Sequence, residues 1–352
     1  MSDSPSSYAV EPASLETDRD VIIALWASNL GQPERRRDKF DWFYLRNPGG
    51  RPTVVLARSP VGSLHSVGVL GLGPRQMQID GERINAGLMA DFGVSAEHRT
   101  LYPAMLLQTT LRDLCLPGLG LMFGFPNPKS EPVVRRLGYS VVGRLVRYVR
   151  VLRSADYLPV AIPQVVRQGL GASADWWRHT LRLQLCRRKL KGLLVQWQEQ
   201  PDSRFDDLWQ TQIGQPMLIG VRDRAFLAWR FEQKPWRQSR FLTLQRPDGS
   251  LVAYAVCEIA GKVLHIRDVL TDPSLPNSLE LILWAVFRHA RKNGQSSVSF
   301  EFLGPESMRK TLLDQGMVPR EYSNVLATTL SSSKERALLT RDWYVTFADQ
   351  DI

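Results

Sequence analysis

Three landmarks of this 352-residue chain recur at one spacing. Asp91 and Asp268 lie 177 residues apart, Phe125 and Phe302 lie 177 apart, and Gly138 and Gly316 lie 178 apart. A spacing of about half the chain points to one architecture laid down twice. The length agrees, since a domain usually runs to roughly 100–200 residues.

Hydrophobic patterning gives both halves a common order of elements. In the first half, Asp18 and Asp20 open a helix with Ile22, Leu25 and Trp26 on one face. A second helix is expected over 34–46, stopped by Asn47-Pro48-Gly49-Gly50. Strands follow over 53–57, 65–72, 75–79 and 84–94, with a hairpin at Asp80-Gly81. Then come a helix over 102–114, a strand over 120–125, a short helix over 131–137 broken by Gly138, and a strand over 141–152. In the second half, a helix over 226–231 precedes strands at 241–245, 251–259 and 263–270. Helix Ser278–Lys292 puts Leu279, Ile282, Leu283, Val286, Phe287 and Ala290 on one face. Strand Ser297–Leu303, a helix over 306–315 and a strand over 322–329 complete the order. The expected class is α/β (α+β), with each half a mixed, mostly antiparallel sheet and flanking helices.

The implied domains are 1–153 and 201–352, joined by a basic linker at 154–200. Residues 176–196 of that linker predict a helix dense in Arg182, Arg187, Arg188, Lys189 and Lys191. Its weak amphipathicity suits an interdomain helix or peripheral contact with a membrane surface. The first dozen residues, rich in Ser and Pro, predict disorder.

A net charge of +10 favours anionic partners. Nucleic acid is not an expected one, because aromatics do not interleave with basic clusters and no helix-turn-helix or zinc-finger spacing occurs. Cys115, Cys186 and Cys257 are too scattered for a disulfide framework or a metal site. No run reaches the roughly 18–20 apolar residues of a membrane span, and the polar N-terminus lacks the form of a signal peptide. A cytoplasmic location is the expectation.

Some segments are more specific. The first half holds Phe40-Asp41-Trp42-Phe43-Tyr44-Leu45-Arg46-Asn47-Pro48, Ala90-Asp91-Phe92-Gly93-Val94-Ser95-Ala96-Glu97-His98-Arg99, Gly124-Phe125-Pro126-Asn127 and Arg136-Leu137-Gly138-Tyr139. The second holds Phe226-Leu227-Ala228-Trp229-Arg230-Phe231 and Lys310-Thr311-Leu312-Leu313-Asp314-Gln315-Gly316. In this order the chain resembles two tandem, diverged GNAT acetyltransferase domains, in the style of GNAT-like proteins from bacterial polysaccharide gene clusters.

The resemblance implies that the strand ending at 90–94 and the strand at 121–125 run parallel and splay apart. The gap would admit the pantetheine arm of coenzyme A against Phe92, Gly93 and Val94. The pyrophosphate would sit at the next helix N-terminus, where backbone N–H groups and the dipole favour anions. That loop reads Arg99-Thr100-Leu101-Tyr102-Pro103-Ala104. Arg99 and Ala104 match the family pattern, Tyr102 stands where glycine is usual, and Pro103 removes a donor. The matching second-half loop, Asp272-Pro273-Ser274-Leu275-Pro276-Asn277, has neither Gly nor Arg and reads as a non-binding copy.

The implied reaction moves an acyl group from acetyl-CoA, or another acyl-CoA, to an amine or hydroxyl, with no metal. A sugar or polysaccharide precursor is the acceptor class that the resemblance suggests. Asp91 and Glu97 are the candidate general bases, with Asp91 better placed. Asp91 also reads as a strand-end residue bonded to a loop. Asn127 reads either as a pantetheine contact or as a helix cap. The family's acid tyrosine position holds Val134. Two other functions stay open: a binding or scaffold protein that kept the fold, and a Fem-type aminoacyl transferase, which also pairs GNAT-like domains.

Overall fold

A computed structural model describes residues 8–59, 65–157, 190, 192–236, 238–330 and 333–351. The first half runs β1 (Ala9–Pro12), α1 (Arg19–Asn29), α2 (Arg36–Lys39), β2 (Thr53–Arg58), β3 (Ser66–Ile79), β4 (Glu82–Val94), α3 (Leu101–Cys115), β5 (Leu121–Gly124), α4 (Glu131–Arg136) and β6 (Ser140–Val151). The second runs β7 (Leu194–Gln198), α5 (Ser203–Gln210), β8 (Met217–Gly220), α6 (Arg224–Leu227), β9 (Ser239–Gln245), β10 (Leu251–Ala260), β11 (Val263–Thr271), α7 (Ser278–Lys292), β12 (Ser297–Leu303), α8 (Glu306–Asp314), β13 (Val318–Thr328), α9 (Ser333–Leu338) and β14 (Asp342–Thr346). No helix among the described residues is long and apolar enough to cross a membrane.

Local chemistry accounts for most boundaries. Asp80 and Gly81 both take positive φ, 49° and 84°, as a tight hairpin turn between β3 and β4 requires. In α7 the apolar stripe is buried as its spacing predicts, with Ile282, Val286 and Ala290 at 0% exposure. β3 is a single strand through Pro74, where two strands were expected. Pro74 falls after the last β2 pair, Thr53–Leu72, and before the first β8 pair at Met77. Its missing N–H therefore breaks no ladder bond on that edge.

Other expectations are corrected. Ala9–Pro12 is ordered, because pairing with Val55–Arg58 supplies its backbone bonds and Glu11 pairs with Arg58. The predicted linker helix at 176–196 lies mostly outside the described residues, and its described end belongs to β7. There Leu194–Gln198 gains a ladder against Phe241–Gln245 that outweighs helical propensity. The helices expected at 34–46 and 226–231 are not α-helical throughout: α2 and α6 each run straight into a π turn, at Phe40–Tyr44 and Ala228–Glu232.

The sheets of the two halves are not separate. All strands among the described residues join one 14-stranded sheet. β4 and β5 pair in parallel only over Ala86–Leu88 and Leu121–Phe123, then diverge. β11 and β12 do the same after Ile266 and Phe300. The strand that follows each diverging pair crosses to the other half. β13 pairs with β5, β6 pairs with β12, and β6 and β13 pair with each other at the centre. β8 and β14 link β3 to β12 and close the sheet on itself.

The two π turns meet at the core. Trp42 and Trp229 stack at 4.8 Å and 18° between planes. The Trp42 indole N–H donates to the Trp229 carbonyl at 2.8 Å, and the Trp229 indole N–H to the Trp42 carbonyl at 3.1 Å. Nearby, β14 enters the gap between β11 and β12. It pairs with Phe302 and Leu303, and the Tyr344 hydroxyl donates to the Val269 carbonyl.

A buried ionic cluster fixes this insertion. Arg222, fully buried, pairs with Asp349 and with Asp268, and Arg75 reaches Asp349 at 3.1 Å. Burial raises the Asp349 pKa, but Arg222 and Arg75 outweigh it and hold the carboxyl below its ordinary range. A depressed folded pKa gives stability that is present above the unfolded pKa, about 3.9 for Asp, and lost as pH falls through the folded pKa. Urea denaturation should thus show stability falling below about pH 4. Asp349→Asn should be less stable at neutral pH and lose less on acidification.

Candidate active site

The first-half gap holds a cavity of 390 Å³. Met89 to Phe92 of β4 form one wall, and Phe125 to Asn127, after β5, form the other. Gln108 of α3 and Val134 of α4 also line the cavity. Arg35, Arg36 and Lys39 line it too, joined by Trp236 and Asp351 from the second half.

Asp91 sits at the centre of this wall because β4 is irregular there. The β3–β4 register shifts between the Val69–Gly93 and Gly71–Ala90 pairs, and Asp91 takes φ +52°. Asp tolerates the left-handed region better than most residues, and a bulge re-aims its side chain. The carboxylate, 6% exposed, points inward. Lys39 Nζ donates to Oδ1 at 2.7 Å and the Tyr44 hydroxyl donates to Oδ2 at 2.9 Å. Arg36 stands 3.7 Å from Oδ1. Burial raises the Asp91 pKa most, and Lys39 draws it back in part. Burial beside Asp91 pushes the Tyr44 phenol well above its ordinary value.

The backbone of Asp91 is also engaged: its N–H donates to Asp351 Oδ2 at 3.3 Å. Two carboxylates thus face one cavity, and Lys39 and Arg36 stand beside Asp91. Gln108 adds an unmet group. It is 3% exposed, and its Oε1 has no hydrogen-bond partner among the described residues.

The remaining predicted residues divide. Phe92 lines the cavity, while Gly93 and Val94 pair with Val69 and Gly68 on the β3 side. Their opposite edge lies beyond the last β5 pair at Leu88. Arg99 donates to the Val94 carbonyl and to Asn29 Oδ1, both at 2.9 Å, so it braces the loop below α3. Thr100 precedes α3 in extended conformation without a side-chain cap bond. The first-turn N–H groups of Leu101 and Tyr102 have no partner within the helix, Pro103 offers none, and that of Ala104 begins the helical ladder at the Thr100 carbonyl. Tyr102 is 55% exposed. Glu97 lies on the exposed turn Ala96–His98, away from the cavity wall. Asn127 borders the cavity, and its Oδ1 accepts from the N–H groups of Lys129 and Ser130 at 2.9 and 3.0 Å in the turn before α4.

Sequence reasoning missed Lys39, Trp236 and Asp351, and gave Tyr44 no role. Lys39 and Tyr44 are five residues apart, which an α-helix would set on different faces. The π turn brings them to one carboxylate. Asp351 had no local signal, since β14 carries it in from the far end of the sequence.

No family model matches the chain, and no curated protein matches its sequence. Solved structures do match in shape. A probable N-acyltransferase from Enterococcus faecalis V583 aligns with TM-score 0.64 at 12% identity, over 92% of this chain and 73% of its own. A GCN5-related N-acetyltransferase from Anabaena variabilis ATCC 29413 aligns with TM-score 0.62 at 15% identity, over 91% and 72%. Saccharomyces cerevisiae N-myristoyltransferase, solved with bound myristoyl-CoA, aligns with TM-score 0.53 at 12% identity, over 93% and 84%. The chain has the fold of the GCN5-related N-acetyltransferases.

The Lys39–Asp91 pair lends itself to a direct test. Lys39→Met leaves a buried carboxylate with its nearest cation gone, and breaking such a pair costs about 3–5 kcal/mol. The double variant Lys39→Met/Asp91→Asn should recover part of that loss in urea denaturation, since it removes the stranded charge. Additive losses would show that the two side chains are not coupled.

Proposed function

We propose that the chain is an acyl-coenzyme A-dependent acyltransferase whose one working site is the cavity between β4 and β5. The observation that carries this is the coincidence of a diverging parallel strand pair, a cavity within it, and a buried, unpaired Gln108 Oε1 on its wall. A pantetheine arm carries amide N–H groups that would satisfy that oxygen. The thioester would lie between Phe92 and Phe125, and the pyrophosphate at the α3 N-terminus. The acceptor, an amine or hydroxyl, would enter from the side of Arg35 and Lys39. A sugar acceptor is compatible with this opening and rests on the sequence resemblance.

We read the two halves as tandem copies of one domain. The repeat spacing, the reciprocal Trp42–Trp229 bonds and the matched strand crossing support that reading. The second copy would bind no cofactor, since β14 stands in its gap.

Catalysis divides between two carboxylates. Both oxygens of Asp91 are held by Lys39 and Tyr44, so its part is to fix the site and, through its N–H, to orient Asp351. Asp351 then takes the proton from the acceptor as it attacks the thioester carbon, and coenzyme A leaves as the thiolate.

Calorimetry with acetyl-CoA is the primary test, and absence of binding would leave the scaffold reading in its place. Gln108→Leu should weaken that binding by about 0.5–1.5 kcal/mol without loss of melting temperature, because an unpaired buried oxygen is removed. A drop in stability instead would show that Gln108 is paired in the free protein.

Asp351→Asn should lower thiol release from acetyl-CoA, assayed over a panel of amines and amino sugars, by about 10²–10⁴. Binding of acetyl-CoA should persist. Turnover unchanged in this variant would move the base elsewhere.

A further inference from the structure

Lys234 takes no part in the chemistry above. It follows the π turn Ala228–Glu232 and leads into Pro235-Trp236. Three aromatic rings surround its nitrogen: Trp236 at 5.3 Å, Phe347 at 5.4 Å and Trp42 at 5.8 Å. Such a cage ordinarily draws a cation. Here other cations already hold two of the rings. Arg230 lies 5.4 Å from Trp42 and 5.3 Å from Phe347, and Arg267 lies 4.0 Å from Phe347.

The charged groups that face Lys234 are Arg230 of the π turn, Arg267 of β11, Glu258 of β10 and Lys39 of α2. Glu258, the one carboxylate among them, is already bonded to Arg267 at 2.7 Å. Burial, then Arg230, push the Lys234 ammonium down to about 6. Lys234 is not sealed off: it is half-buried, and Trp236 beside it lines the 390 Å³ cavity.

We propose that Lys234 is a covalent acyl-acceptor site, an amine that takes an acyl group from an activated donor such as a thioester or acyl phosphate. The nitrogen lone pair attacks the carbonyl carbon. An N–C bond forms, the C–S or C–O bond breaks, the thiolate or phosphate leaves, and the nitrogen's proton passes to water. The amide product can no longer take up a proton, so no further cation can form in a cluster that already holds Arg230, Arg267 and Lys39. This needs no coenzyme A in the cavity, so it stands or falls apart from the proposed transferase activity.

The test is peptide mass spectrometry of the intact chain after incubation at pH 7 with acetyl-CoA and, in a second arm, with acetyl phosphate. At that pH an amine of pKa about 6 is mostly neutral, whereas an ordinary lysine near 10.4 is neutral in roughly one molecule in 2,500. Nucleophilicity falls with basicity and returns much of that gain, leaving roughly a tenfold advantage. Lys234 should therefore be acetylated roughly tenfold faster than the exposed Lys129, Lys262, Lys292 and Lys310 by at least one donor. Its rate should level off above about pH 7, and Lys234→Arg should lose the label while keeping its melting temperature. Labelling no faster than those lysines with both donors would overturn the proposal. So would a rate that keeps climbing tenfold per unit to pH 9.

Discussion

Trp42 and Trp229 each donate an indole N–H to the other's main-chain carbonyl, and the sheet is assembled around that exchange. A buried indole needs a partner for its N–H, and a π turn leaves carbonyls out of the ordinary helical ladder. Both conditions are met because each tryptophan lies inside a π turn. The pair places the halves face to face, so that β6 and β13 run antiparallel at the centre and each continues into the sheet of the other half. Neither half can complete its sheet alone. β5 waits for a partner near residue 326, about two hundred positions downstream, and pairings of that range are slow to form.

From this near-symmetric frame come two unlike gaps. Asp91 and Asp268 occupy matching places, and each accepts from a buried tyrosine, Tyr44 at 2.9 Å and Tyr254 at 2.8 Å. Each also faces a basic side chain, Lys39 or Arg222. They differ in what occupies the gap. Around Asp268 the chain fills it: Thr346 donates to the carboxylate at 2.6 Å, and Asp349 shares Arg222. Around Asp91 the same segment contributes Asp351, on the wall of a cavity. One segment therefore closes one gap and furnishes the wall of the other.

Much of this was legible in the sequence, and the rest was not, for reasons of range. Hairpin turns at Asp80-Gly81 and the stripe of α7 are local signals, and both stand where they were read. Asp91 and Phe92 were singled out through the GNAT resemblance, and both line the cavity. The strand exchange left no trace, because β6 has the same apolar alternation whether it pairs with β5 or with β12. Lys39 and Tyr44 escaped because helical periodicity assumes 3.6 residues per turn and a π turn departs from it. Arg99 was read as a ligand contact, and the structure shows it bracing its loop through the Val94 carbonyl. Spacing finds which residues are neighbours, but not which way a long side chain turns.

The backbone at Asp91 supplies an independent mark on the first-half gap. Its φ of +52° is one that side chains other than glycine, asparagine and aspartate rarely adopt, and Asp268 is not among the residues with positive φ. Such a conformation costs of order 1–3 kcal/mol and persists only where its surroundings over-determine it. Here Lys39, Tyr44 and Asp351 together do so, holding both carboxylate oxygens and the N–H. In the filled gap, the chain reaches a buried carboxylate with the same kinds of partner and no such strain. A buried aspartate thus does not by itself require the left-handed turn. What the turn adds at residue 91 is an N–H aimed at Asp351 beside an open cavity. The strain therefore falls where the two halves differ, on the side that can admit a ligand.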